Sequence, residues 1–85
     1  MRKKIVAGNW KMNLDKQEAK SLTQDLLNTM QAGFPTDVDL VVCTPFIHLD
    51  MVGQMIASQS NLYLGAQDCS QNENGAFTGE ILVAM

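Results

Sequence analysis

The chain predicts an α/β fold with parallel strands, in the order βαβαβ followed by a long loop, and three observations support it. Short apolar runs recur at three places. Between them lie segments whose apolar residues repeat at three- and four-residue spacings, the period of a helix face. Each helical segment supplies the long crossover that a pair of parallel strands needs. Such crossovers are nearly always right-handed.

Ile5-Val6-Ala7-Gly8 is the first strand, an uninterrupted apolar run suited to burial on both faces. Asp15 and Glu18 then have the spacing of a capping-box helix start. Ala19, Leu22, Leu26, Leu27 and Met30 fall on one stripe of that helix, and Lys16, Lys20, Gln24, Asp25 and Gln31 occupy much of the remaining surface. Gly33 suits the left-handed position that ends many helices, and Pro35 prevents an easy restart. The second cycle opens with VDLVVC, Val38 to Cys43, and is interrupted at Thr44-Pro45 because proline donates no ladder hydrogen bond. Leu49, Val52 and Ile56 recur at helical spacing, with Met51 and Met55 widening the apolar surface. Leu62-Tyr63-Leu64-Gly65-Ala66 is the third strand. A polar, glycine-bearing loop and an apolar tail, ILVAM, complete the chain.

Composition bounds what such a chain does. Its 85 residues, 46% hydrophobic and 18% charged, suit one small folded domain. A net charge of −3 gives no basic face for nucleic acid. Arg2, Lys3 and Lys4 read as a solvated strand entrance. No apolar stretch approaches the ~20 residues of a membrane span, and the first apolar run is too short for a signal peptide. Cys43 and Cys69 form no metal-ligand or CxxC cluster and read as reduced thiols of a cytoplasmic protein. One histidine and scattered acids make no metal site. The six methionines read mostly as core gap-fillers, and Trp10 as packing.

Two architectures share the βαβαβ order: an open doubly wound sheet and the (β/α)₈ barrel. Both place ligands at the carboxyl ends of their strands. Three parallel strands leave two edges unpaired, and the chain stops at Met85 within an apolar stretch, so a truncated chain is expected.

Residues at the strand ends separate the two. AGNWKMN (7–13), CTPF (43–46), LGAQ (64–67) and GAFTGE (75–80) stand in order and in register along the chain. Together they resemble the triosephosphate isomerase family across its opening third. The resemblance implies that residues 1–85 are the N-terminal part of a single (β/α)₈ TIM barrel, incomplete as given. They would hold strand–helix units one and two, strand three and the long loop after it. Complete barrels of this kind have about 250 residues.

The residues after the first strand carry their own chemistry. Residues two apart on an extended segment point the same way, so Asn9 and Lys11 could reach one site while Trp10 faces elsewhere. An ammonium is a compact positive charge suited to phosphate, and it favours negative charge developing on an enolate oxygen. The Asn9 carboxamide offers a donor and an acceptor. Spacing alone equally allows a plain polar loop with Lys11 solvated.

The resemblance implies that Asn9 and Lys11 bind substrate and that Lys11 polarises it. The reaction it implies interconverts dihydroxyacetone phosphate and D-glyceraldehyde 3-phosphate through an enediol(ate). A carboxylate base and a neutral imidazole are required, as in the established account of this enzyme. The resemblance places both beyond Met85, so the isolated chain is expected to be inactive. His48, just past the Pro45 turn, reads as a helix-start histidine, and Glu80 as an early helix residue favoured by the helix's positive end. The loop from Asp68 to Glu80 is long by βα standards. By resemblance it makes a homodimer contact, with Thr78 near the partner's active site and Phe77 adding apolar area. Asp68 stands where many members of the family have asparagine, which adds negative charge at the mouth. GAFTGE lacks a P-loop's lysine and GNWKMN lacks GxGxxG, so nucleotide loops are excluded. No metal or organic cofactor, nucleic acid or membrane partner is expected. The competing reading is a stand-alone, non-catalytic βαβαβ binding domain.

Overall fold

The computed structural model describes residues 2–85. Lys4–Asn9 form β1, Lys16–Gly33 form α1, Val38–Thr44 form β2, Leu49–Ile56 form α2 and Leu62–Ala66 form β3. A short 3₁₀ turn, Phe46–His48, joins β2 to α2. The strands make one parallel sheet in the order β1-β2-β3. The predicted order, βαβαβ and then a loop, is the order observed.

α1 begins where the sequence places it. Asp15 accepts from the Glu18 N–H at 2.9 Å, and the Glu18 carboxylate accepts from the Asp15 N–H at 3.0 Å, a complete capping box. Gly33 ends the helix at φ +137°, in the region glycine enters without strain. The buried stripe differs from the predicted one. Ala19, Thr23, Leu27 and Met30 are buried, whereas Leu22 and Leu26 are half-buried. Thr23 takes a core position because its hydroxyl donates back to the Ala19 carbonyl at 2.7 Å, so its polar atom is satisfied.

The core lies between the helices and one face of the sheet. Leu27 and Met30 of α1, Val42 of β2, Val52 and Ile56 of α2 and Leu62 of β3 form it, with Trp10, Phe34, Met51 and Met55 packed at its edge. Each fully buried aliphatic side chain of this kind contributes about 1.5–3 kcal/mol. Met12 and Met85 are exposed, so core filling falls to Met30, Met51 and Met55.

The opposite face is sparsely covered. Asn9, Cys43 and Gly65 are aligned across the strands on that face. A Cβ at Gly65 would stand 2.8 Å from the Cys43 sulfur, so this position admits only glycine while Cys43 keeps its place. Ile5 and Tyr63, further down the same face, are exposed.

After β3 the chain forms neither helix nor strand, apart from a parallel bridge between Ser70 and Leu82. Glu80 therefore lies outside any helix, and the expected interaction with a helix end is not made. Gly79, at φ +81°, turns the chain away from helical geometry just before it. No described helix is long and apolar enough to cross a membrane.

Candidate functional site

The carboxyl ends of the three strands are joined by one side chain. The Gln67 carboxamide, directly after β3, donates to the Lys11 carbonyl and to the Cys43 carbonyl, each at 3.0 Å. Cys43, in β2, also accepts from the Trp10 N–H at 3.0 Å. The Cys43 carbonyl thus uses both lone pairs, and Gln67 ties β3 to β2 and to the segment leaving β1.

That segment, residues 10–14, is a five-residue turn rather than a continuation of the strand. β1 ends at Asn9, and Lys11 adopts φ +56°. The argument that Asn9 and Lys11 share a direction on extended chain therefore fails at Lys11. A local hydrogen bond brings them together instead: Asn9 Oδ1 accepts from the Lys11 N–H at 2.9 Å, an Asx turn. The Asn9 side chain is thereby a scaffold for the Lys11 backbone. Asn13 Nδ2 donates to the Trp10 carbonyl at 2.9 Å and closes the turn from its far side. Trp10 itself packs against the core, as the sequence predicts.

The turn also ends on a restrained residue. Leu14, immediately before the Asp15 cap, has φ +76°. Its carbonyl accepts from Nε2 of His48 at 2.9 Å, so that nitrogen carries a proton. His48 is buried at the start of α2, its polar tip satisfied by a residue 34 positions earlier. Two non-glycine residues of one five-residue segment thus occupy the left-handed region, where few non-glycine residues are found.

Lys11 is exposed at this mouth. Among the described residues the ion pair present is Lys3 with Asp39, 3.1 Å apart near the amino ends of β1 and β2. No carboxylate among the described residues is paired with Lys11, so its ammonium is a cation available to an anionic ligand.

A separate cavity of about 230 Å³ opens beside the end of β3, lined in part by Phe46, Gln67, Asp68, Cys69 and Glu80. With two carboxylates and no lysine or arginine in its lining, its charge opposes phosphate. Asp68 contributes the negative charge expected at that position. Both cysteines are free thiols. Among the described residues no cluster of three or more histidine, cysteine or acidic groups is placed to hold a metal.

Phe77 and Thr78 lie on the exposed loop after β3, and among the described residues no hydrogen bond connects them to Asn9 or Lys11. Sequence reasoning missed Gln67 as the tie between strand ends. A long amide directly after a strand, within LGAQ, was the available signal.

Comparison with known proteins covers the same ground. A family model described as triosephosphate isomerase matches residues 4–85. A triosephosphate isomerase of Cytophaga hutchinsonii is 46% identical over 85 residues, 100% of this chain and 33% of the relative. Those of Bacteroides fragilis and Hahella chejuensis are 45% and 44% identical over the same shares. The chain therefore spans about a third of the length of the curated relatives it matches.

Proposed function

The chain belongs to the triosephosphate isomerase family, and on that premise we propose that the complete protein interconverts dihydroxyacetone phosphate and D-glyceraldehyde 3-phosphate through an enediol(ate). One observation carries the reading at the level of the site: an unpaired cation, Lys11, held in a braced turn at the carboxyl end of the first strand. Ligands of barrel enzymes gather at that end.

Lys11 binds the triose phosphate and stabilises the negative charge that develops on the enediolate oxygen. Its backbone is fixed before substrate arrives, so little reorganisation accompanies the reaction. Asn9 is the companion substrate residue and the acceptor that shapes the turn. The proton-transferring carboxylate and the polarising imidazole are assigned to no residue here. His48 is buried and engaged with the Leu14 carbonyl, and Glu80 lies in the long loop. The 85-residue chain alone is therefore expected to be inactive. The protein works in the cytoplasm without metal or organic cofactor, as a homodimer in which the 68–80 loop, with Phe77 and Thr78, meets the partner. The exposure of residues 71–80 supports the assignment.

The test is isomerase turnover by the complete gene product and by its Lys11→Ala variant. Loss of the lysine is expected to lower kcat/KM by at least about a hundredfold, the size of a lost electrostatic donor. A complete protein without isomerase activity would overturn the reading, and an unimpaired variant would remove Lys11 from it.

A further inference from the structure

Beyond the bond from its own N–H to Asn9, Lys11 is restrained from two directions, and only one of them touches it. Gln67 holds its carbonyl directly. At the other end of the turn, Leu14 sits at φ +76°, about 140° away from the usual helical value near −63°. A leucine stays in such a conformation only where its surroundings over-determine it. Two restraints do so here. The capping box fixes Asp15 on one side, and His48 Nε2 holds the Leu14 carbonyl at 2.9 Å on the other. His48 is itself held in place: it is 4% exposed, and its backbone N–H donates to the Pro45 carbonyl at 3.0 Å.

We propose that His48 is a positioning residue for Lys11, acting through the left-handed Leu14 and the turn between them. The proposal deepens the isomerase reading, and its activity measurements rest on that reading. Without the imidazole donor, Leu14 relaxes toward ordinary φ. The four-residue span from Lys11 to Leu14 then no longer fits between its fixed ends, and the ammonium loses its set position. Displacement of a substrate-holding group by about 1 Å costs on the order of a hundredfold in rate. His48 touches no substrate in this scheme. Its effect is indirect and is therefore removable by changing Leu14.

The experiment compares His48→Leu, which removes the donor, with His48→Gln, which keeps an N–H at similar reach, in the complete gene product. Each is made with Leu14 intact and with Leu14→Gly, because glycine enters the left-handed region without strain. With Leu14 intact, His48→Leu is expected to lower kcat by roughly ten- to a hundredfold, and His48→Gln to restore most of it. In the Leu14→Gly background the penalty of His48→Leu should shrink to within about threefold, the non-additivity of coupled residues. An equal penalty in both backgrounds would make His48 a packing residue and overturn the proposal.

Amide exchange gives a measurement independent of activity. The Lys11 N–H, bonded to Asn9 Oδ1, should exchange at least about tenfold faster in His48→Leu but not in His48→Gln or in the Leu14→Gly pair. Unchanged Lys11 exchange in every variant also overturns the proposal. If the complete protein lacks isomerase activity, the isomerase reading falls and the exchange result alone decides the positioning role. If His48→Leu fails to fold, His48→Phe, a planar ring with no donor, takes its place in both Leu14 backgrounds and in the exchange measurement, with the same outcomes supporting or overturning the proposal.

Discussion

Two stretches of this chain lack regular structure and differ in almost everything else. Residues 10–14 are five residues long, and they share hydrogen bonds with β2, with the residue after β3 and with the start of α2. Residues 68–85 are more than three times longer and are held chiefly at one place, where the Ser70 N–H donates to the Ile81 carbonyl at 2.7 Å beside the Ser70–Leu82 bridge. Every residue from 71 to 80 is exposed. The difference separates two meanings of a loop. The first has its conformation fixed by the fold, at the cost of two left-handed non-glycine residues, and fixed geometry is what charge stabilisation requires. The second presents Phe77 to solvent.

Substitutions that remove a brace of the first loop should therefore cost stability and function together, and those in the second loop should not. Gln67→Met tests the first half most severely. Methionine keeps the length of the side chain but removes both donated bonds, to Lys11 and to Cys43. Each such bond is worth about 0.5–1.5 kcal/mol net. Because Gln67 is exposed and water replaces part of the loss, about 1–2 kcal/mol is expected in denaturant unfolding of the complete protein. A drop in kcat should accompany it. Full stability with full activity would show that the strand ends hold the turn without Gln67.

Asp15→Ala is the next largest. It removes the N-cap carboxylate, and with it one half of the capping box that follows Leu14. Loss of such a cap costs about 1 kcal/mol. Stability should fall by that amount, while kcat falls less than in Gln67→Met, because Asp15 fixes the end of the turn and not Lys11 itself. An activity loss equal to that of Gln67→Met would place the main restraint on Lys11 at the helix start.

What the sequence disclosed follows the range of each interaction. The Asp15–Glu18 box, the end of α1 at Gly33 and the three apolar strands rest on local chemistry, and they stand where the spacing puts them. The buried stripe of α1 was displaced because Thr23 conceals its polarity by bonding Ala19, a substitution that a hydrophobic pattern cannot register. Asn9 and Lys11 stood out by residue type at a strand end. The conformation that joins them did not. Lys11 is held in the left-handed region by a carboxamide 56 residues away, and Leu14 is bonded to an imidazole 34 residues away. Glu80 failed for the opposite reason: Gly79 beside it was a local signal against helix. The cavity carrying Asp68 and Glu80 likewise arises from the return of the chain near Ser70, which no spacing announces.

Phe77→Ser tests the second half of the comparison and should cost least in folding. Phe77 is 52% exposed, and its ring lies over Gly75, where an added Cβ would meet it at 3.3 Å. That contact is local to the loop and supports no strand or helix, so the expected change in folding stability of the separated subunit is within about 0.5 kcal/mol. The proposed homodimer gives the same residue a different weight. An exposed aromatic on an interface loop supplies contact area only when a partner covers it. Phe77→Ser should therefore leave the separated subunit's unfolding unchanged and weaken self-association of the complete protein by roughly ten- to a hundredfold, read by sedimentation across a concentration series. Loss of subunit stability with unchanged association would place Phe77 among the groups that hold its own subunit together. The long loop would then be a poorly packed part of the fold and not a surface kept for a partner.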